Sequence, residues 1–321
     1  MALLSELLVL FVSSILLFLF LGLLFLPLII VIIARVVEER QNRETYEKSQ
    51  YYKSTQLPYD YAMNDTGTYG EYCTYQILER CALPNTKFLF NVYVPTGINT
   101  TTEIDIIMLS PAGIIVVESK NLGGWIFGNE TQKNWCHTMR NGQKNFFYNP
   151  IMQNDAHIRH LKALIGNEYS IYSIIVFSDR CTFKDIQVNR QDVCVTYSSN
   201  VPQMLSVINN NMATRTLGES DIVALYERLF PFSQVGEETK ALHLAHLYKL
   251  QLQEQRKQTE IQARNIEENE RVIKKYYETG MLKCPRCNGN LVVRTAKKGD
   301  NAGKQFYGCS RYPECKYTRK I

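Results

Sequence analysis

Between Leu7 and Ala34 the chain has no ionisable residue, and no Lys or Arg precedes Arg35. The first absence excludes a solvated N-terminal arm: 28 residues at about 1.5 Å each outspan a hydrocarbon core of roughly 30 Å. The second, with Glu6 and no clean A-x-A site, argues against a cleaved signal peptide, whose start is basic. The run therefore reads as a retained transmembrane anchor, residues 1–36. Arg35, Arg40, Arg43 and Lys48 follow it, so the positive-inside rule places the remainder in the cytoplasm as a single-pass membrane protein. Pro27 lies within the run, where packing partners can absorb a proline.

With 45% hydrophobic and 21% charged residues over 321 positions, full disorder is excluded. Of nine cysteines, five (Cys73, Cys81, Cys136, Cys181, Cys194) are scattered and four cluster at metal-ligand spacing, which points to a reducing compartment. The net charge of +5 is uneven: residues 281–321 carry ten Lys and Arg against Asp300 and Glu314, or +8, leaving −3 for the rest. A small basic module with an anionic partner is implied, joined to a nearly neutral body.

Residues 37–65, polar and Tyr-rich with Pro58, read as a juxtamembrane linker. Asn64, Asp65 and Thr66 can cap a helix over about 70–81. Strands follow at Phe88–Val94, Glu103–Leu109, Ile114–Lys120, Ser173–Phe177 and Val193–Tyr197, with a helix from Asn149 to Ile165 after the third. This order makes residues 66–200 a mixed α/β domain. Helices over 201–210 and 219–230, the latter ended by Pro231, form an extension to residue 236. Residues 237–280 are a helical linker, one long helix from Glu237 to Tyr277 without a sustained heptad, a solvated spacer with homo-oligomerisation as its alternative role.

The segments 103–109 and 114–120 are mostly apolar, yet each holds charge. If Ser110 pairs with Gly113 across the turn, opposed residues sum to 223 and Asp105 faces Glu118, with Lys120 on the same side. Ionised carboxylates in an apolar sheet need compensation, and Mg²⁺ held by Asp105 and Glu118 supplies it while supporting phosphodiester hydrolysis, with Lys120 stabilising developing negative charge. A salt-bridged strand end is the bland alternative for Glu-x-Lys alone.

The wider context resembles the nuclease-related domain, NERD, whose fold is similar to the PD-(D/E)xK restriction-endonuclease core. The resemblance is carried by Gly70-Glu71, Glu103-Ile-Asp105, Gly113, Glu118-Ser-Lys120-Asn121, Gly128, Trp135, Asn141-Gly142, Asn149-Pro150, Gln153-Asn154, His157, Leu161 and Ile175-Val-Phe177. It implies Glu71, Asp105, Glu118 and Lys120 as the catalytic set, with Gln153 auxiliary. Ser119 departs from the apolar residue usual between Glu and Lys. Bland readings stand beside these: Glu71 favoured by a helix dipole, Gln153 and Asn154 satisfying backbone, His157 and His160 in packing or surface roles, and Trp125, Trp135 and Phe146-Phe-Tyr148 in the core.

At the C-terminus Cys284-Pro-Arg-Cys287 and Cys309-Ser-Arg-Tyr-Pro-Glu-Cys315 form two knuckles around a 21-residue gap, the pattern of a four-thiolate structural Zn²⁺ site. A module of residues 281–321 cannot bury much core, so the metal supplies most of its folding free energy. These residues, with Gly289, Leu291, Arg294 and Phe306-Tyr-Gly, resemble the C4 zinc ribbon of type IA DNA topoisomerases. The topoisomerase catalytic domains have no counterpart, so only DNA binding is implied. Arg286, Arg294, Lys304, Arg311 and Lys316 interleave with Phe306, Tyr307, Tyr312 and Tyr317, cations for phosphates and rings for unpaired bases. Single-stranded DNA is the expected ligand, RNA its alternative, and solvation of a tiny core the bland reading. The whole reads as a membrane-anchored, Mg²⁺-dependent nuclease with a DNA-capturing ribbon; a catalytically inactive nucleic-acid tether or a scaffold at the membrane is the alternative.

Overall fold

The computed structural model describes residues 2–210, 217–279, 282–298 and 301–321. The elements run α1 (Ala2–Lys48), α2 (Gln50–Thr55), α3 (Tyr59–Asn64), α4 (Thr66–Arg80), β1 (Lys87–Gly97), β2 (Thr100–Ser110), β3 (Gly113–Lys120), β4 (Gly124–Asn129), β5 (Asn134–Thr138) and β6 (Lys144–Tyr148). Then come α5 (Pro150–Ile165), β7 (Ile171–Phe177), β8 (Cys181–Gln187), β9 (Val193–Tyr197), α6 (Val201–Asn210), α7 (Glu219–Ser233), α8 (Glu237–Thr279), β10 (Leu291–Thr295), β11 (Gln305–Cys309) and β12 (Thr318–Lys320). The chain divides after His243 into two units, the second being Leu244–Ile321.

In the first unit the five apolar strands expected from sequence form one mixed sheet, ordered β1-β2-β3-β7-β9. β1, β2 and β3 meander antiparallel, whereas β3, β7 and β9 run parallel. Both faces of this sheet are covered. Phe90, Ile106, Met108, Ile115, Val117 and Ile174 pack beneath α4 and α6, while the alternate residues Leu89, Ile107, Val116 and Ile114 pack against Leu161 of α5 and Leu225 and Leu229 of α7. Strands buried on both sides read as continuous apolar runs, which is why sequence located them.

A second sheet, ordered β6-β5-β4-β8, was not anticipated. Its strands carry Gly, Asn, Lys and Gln, because only one face is buried, through Ile126 and Trp135 against Ile151 and Phe177. Asn149 caps α5 and closes this layer: its Oδ1 accepts from Ile151 N (3.0 Å) and its Nδ2 donates to the carbonyls of Asn129, Glu130 and Gln132.

Residues 37–65 correct the sequence reading. They are not a loose linker but the end of α1 followed by α2 and α3, and Tyr46, Tyr51 and Ala62 are wholly buried with Tyr72, Tyr75 and Phe90. Tyrosine rings with polar rims let a polar-looking segment bury apolar area, which composition alone conceals. The last helix of the extension also differs, since Pro231 lies inside α7, which continues to Ser233. Among the described residues no helix is long and apolar enough to cross a membrane; part of the run at 7–34 lies outside the described side chains.

In the second unit, α8 precedes a three-stranded antiparallel ribbon, β10-β11-β12, whose core is Leu282, Leu291 and the four clustered cysteines, with Tyr307, Tyr317 and Val272 packed against it.

Candidate active site and zinc ribbon

The β2–β3 register runs from Ser110↔Gly113 to Ile106↔Val117, so each pair sums to 223 and the next positions outward are Asp105 and Glu118. Asp105 Oδ2 accepts the Ser119 backbone N–H at 2.8 Å. Glu118 is only 1% exposed, and both its oxygens are engaged: Oε1 receives Lys120 Nζ at 2.5 Å, and Oε2 lies 3.2 Å from His157 Nε2. Lys120 also donates to Gln153 Oε1 at 3.2 Å, and His157 Nδ1 lies 2.7 Å from Thr102 Oγ1.

Glu71 enters from α4, where its Oε2 accepts the Tyr51 hydroxyl at 2.9 Å. α4 is fastened to the end of β3 by Thr74 Oγ1–Ser119 Oγ (3.1 Å) and by Asn121 Nδ2 donating to Thr66 O (2.7 Å). The approach is too close for a side chain at Gly70, whose Cβ would stand 2.5 Å from that of Asn121. Ser119, polar where an apolar residue was expected, is accounted for by its bond to Thr74.

The electrostatics are those of crowded acids with one permanent cation. Burial, then the charges of Glu118 and Glu71, push Asp105 well above the usual carboxylate range. Burial also raises Glu71, to about 7, with the Tyr51 hydrogen bond opposing it and the charges of Glu103 and Glu118 adding to it. At Glu118 burial acts in the same sense but is overcome by Lys120 and His157, so its pKa falls. Lys120 shows the mirror image: burial favours the neutral amine, yet Glu118 and Asp105 hold it above the ordinary lysine value.

All five residues expected from sequence therefore share one connected polar cluster: Glu118, Lys120 and Gln153 by direct bonds, Asp105 and Glu71 by charge coupling. His157, read as packing, is buried and belongs to the site; its i, i+4 spacing from Gln153 on one face of α5 was the available signal. Tyr51 and Thr102 were missed outright, since nothing local marks them. Asn154 is structural, donating to Val116 O and Ser173 Oγ.

A hard dication suits this oxygen-donor set, because two half-buried, charge-coupled carboxylates with raised pKa are relieved by positive charge. Among the described residues, though, the one group of three or more potential ligands whose atoms lie within 4.8 Å of one another is Cys284, Cys287, Cys309 and Cys315.

Those sulfurs fit zinc. Cys284 and Cys315 Sγ are 3.7 Å apart and Cys287 and Cys309 Sγ 3.4 Å, against about 3.8 Å across a tetrahedron of ~2.3 Å Zn–S bonds. The knuckles are closed by Asn288 N donating to Cys284 O (2.8 Å) and Cys315 N to Arg311 O (3.0 Å), and Arg311 N also points at Cys309 Sγ (3.4 Å).

On the ribbon, Arg286, Arg294, Lys304, Arg311, Tyr312 and Lys316 are exposed; Phe306, Tyr307 and Tyr317 are half-buried, the two tyrosines serving the core. Cross-strand register sets Arg294 beside Phe306 and Phe306 beside Lys320, and the Arg294 guanidinium lies 5.6 Å from the Tyr312 ring centroid. Rings and cations thus share a face, as base stacking with phosphate neutralisation requires.

Fold and sites together define a mixed α/β domain with a carboxylate–lysine cluster around the buried Glu118, followed by a four-cysteine ribbon. Comparison with known proteins finds a likeness for each part: residues 66–178 match the Nuclease-related domain, NERD, and residues 282–321 match the Topoisomerase DNA binding C4 zinc finger. An uncharacterized protein of Bacillus anthracis is 26% identical over 182 residues, 57% of this chain and 84% of that protein. DNA topoisomerase 1 of Archaeoglobus fulgidus is 58% identical over 36 residues, and that of Pyrococcus horikoshii 49% over 39; these cover 11% and 12% of this chain but 5% of each topoisomerase. No solved structure matches the chain.

Proposed function

We propose that the chain is a membrane-anchored nuclease that hydrolyses phosphodiesters with Mg²⁺ and captures single-stranded DNA on its zinc ribbon, on the PD-(D/E)xK plan. The observation that carries this reading is the meeting of acidic side chains from α4, β2 and β3 around one half-buried lysine. Asp105 and Glu118 would hold the ion, which polarises the phosphodiester and lowers the pKa of a bound water. Lys120, held by Glu118 and Gln153, stabilises charge developing on the scissile phosphate. His157 and Thr102 fix the orientation of Glu118, and Tyr51 that of Glu71. Support for anchorage is the unionised run at 7–34 and the basic residues after it, from which the positive-inside rule would have the C-terminal domains cytoplasmic. A ribbon on the same chain raises the local concentration of strand at the cluster.

The second reading, a non-catalytic tether, is favoured by one observation: Glu118 has both oxygens occupied by Lys120 and His157. A nuclease assay of the full chain in detergent, with and without Mg²⁺, decides between them. Cleavage that needs Mg²⁺ and disappears in Glu118→Gln supports the nuclease; tight DNA binding with no cleavage in Mg²⁺ or Mn²⁺ supports the tether.

A further inference from the structure

Trp125, Phe146 and Tyr148, expected in the core, are 48%, 71% and 46% exposed. All three stand on the face of the second sheet opposite the buried Ile126 and Trp135, by the two-residue alternation of β4, β5 and β6. Register sets Phe127, Cys136 and Phe146 side by side across three strands. There a cavity of about 270 Å³ opens, walled by Phe127 and Phe146 over Cys136 and rimmed by Asn134, Asp185 and Gln187. Lys184 Nζ lies 5.1 Å from the centroid of the Trp125 ring, and Lys144 is exposed at the start of β6.

This face is tied to the carboxylate–lysine cluster by the chain itself. Four residues separate Lys120 from Trp125, a reach of at most about 17 Å at roughly 3.5 Å per residue. The turn between them needs Gly124, at φ +81, where a Cβ would stand 2.5 Å from Thr138 O.

We propose that the outer face of the second sheet binds unpaired nucleobases of the strand presented to the cluster, one base entering the Phe127–Phe146 cavity and a neighbour stacking on Trp125, with Lys144 and Lys184 on phosphates. The proposal rests on the reading of nucleic acid as substrate. Amide and carboxylate groups on an aromatic-walled cavity match the hydrogen-bonding edge and π-face of a base. A lipid chain would leave the polar rim unpaired, and a plain polyanion would meet Asp185 without using the rings.

The chain has two tryptophans, and the other, Trp135, is wholly buried with its Nε1 donating to Asn129 O. Emission changes on adding a strand therefore report Trp125. The zinc-loaded full chain in detergent, without Mg²⁺, is titrated with a 20-nucleotide oligothymidylate while anisotropy of a labelled copy follows total binding. Saturable quenching is expected, lost in Trp125→Phe; Phe146→Ala shifts its midpoint about tenfold upward, within the five- to 150-fold range of aromatic–base stacking. Lys144→Glu shifts it in the same direction, and both side chains are exposed, so neither change tests folding instead. Full binding by anisotropy without quenching overturns the proposal, as does equal quenching by a duplex or by inorganic polyphosphate. The readout needs no turnover: quenching without cleavage in Mg²⁺ keeps this site and removes the nuclease, whereas cleavage without quenching removes this site alone.

Discussion

Glu71 offers a test of the cluster that needs no substrate. Its carboxyl is raised to about 7, chiefly by burial, and the carboxyl of an unfolded chain titrates near 4.3. Between those values the folded protein binds more protons than the unfolded one, so stability falls as pH rises from about 4.5 through 7 and stays low above. Each unit corresponds to about 1.4 kcal/mol, which bounds the loss at roughly 3–4 kcal/mol; coupling to Asp105 and Glu118 brings the expectation to ~1–3 kcal/mol. Glu71→Gln removes the titration while keeping an oxygen to accept the Tyr51 hydroxyl at the same place. The two proteins should be equally stable below about pH 4, where the carboxyl is protonated in both states, and the variant more stable by ~1–3 kcal/mol at pH 8. Urea unfolding in Mg²⁺-free buffer, followed by tryptophan emission, measures this; both tryptophans lie in the first unit, so the ribbon is silent. Added Mg²⁺ at pH 8 should narrow the gap by stabilising the wild type more. Parallel loss of stability in both proteins between pH 4 and 8 would refute the account of Glu71 as a desolvated acid held beside other carboxylates.

Three further outcomes are expected. Lys120→Ala abolishes cleavage but spares binding to the ribbon, and costs about 3–5 kcal/mol in urea unfolding because Glu118 stays buried without its cation. Cys309→Ser, or zinc chelation, eliminates bound zinc in metal analysis and most DNA retention, while the tryptophan-monitored unfolding of the first unit is unchanged. Asn149→Ala strips α5 of its cap and leaves the carbonyls of Asn129, Glu130 and Gln132 without that donor, which should lower the urea midpoint by the equivalent of ~2–4 kcal/mol.

The central sheet and the β2–β3 register were legible because strands buried on both faces leave continuous apolar runs, and because a two-residue turn at Pro111-Ala112 fixes which residues oppose. The ribbon was legible through cysteine spacing. The second sheet was not, since strands with one wet face and several Gly and Asn residues carry little periodic signal. That loss also misplaced Trp125 and Phe146: hydrophobicity predicts the core only where the strand and its facing are known. His157 was discounted because a histidine on an amphipathic helix is uninformative until the buried Glu118 it meets is in view.

The misread segment 37–65 changes how an anchor and a site would be joined. A flexible linker would let the catalytic domain tumble beneath the membrane, with orientation decided by the nucleic acid. Instead α1 runs unbroken to Lys48 and carries in its last turn Tyr46, whose ring meets Tyr72 of α4 at a centroid distance of 4.9 Å and whose hydroxyl donates to Leu57 O. Arg43, three residues earlier, is held by Asp60 and lies over the Tyr59 ring at 4.6 Å. One turn further on, Tyr51 delivers its hydroxyl to Glu71. The tyrosine cluster thus spans from the last turns of the N-terminal helix to an acid of the cluster. In the proposed anchored state the attitude of that helix fixes the attitude of Glu71, so a strand must approach from directions the membrane leaves open. Inserting a Gly-Ser stretch after Lys48 should then disturb the site itself, through Tyr46 and Tyr51, as well as lengthen the tether.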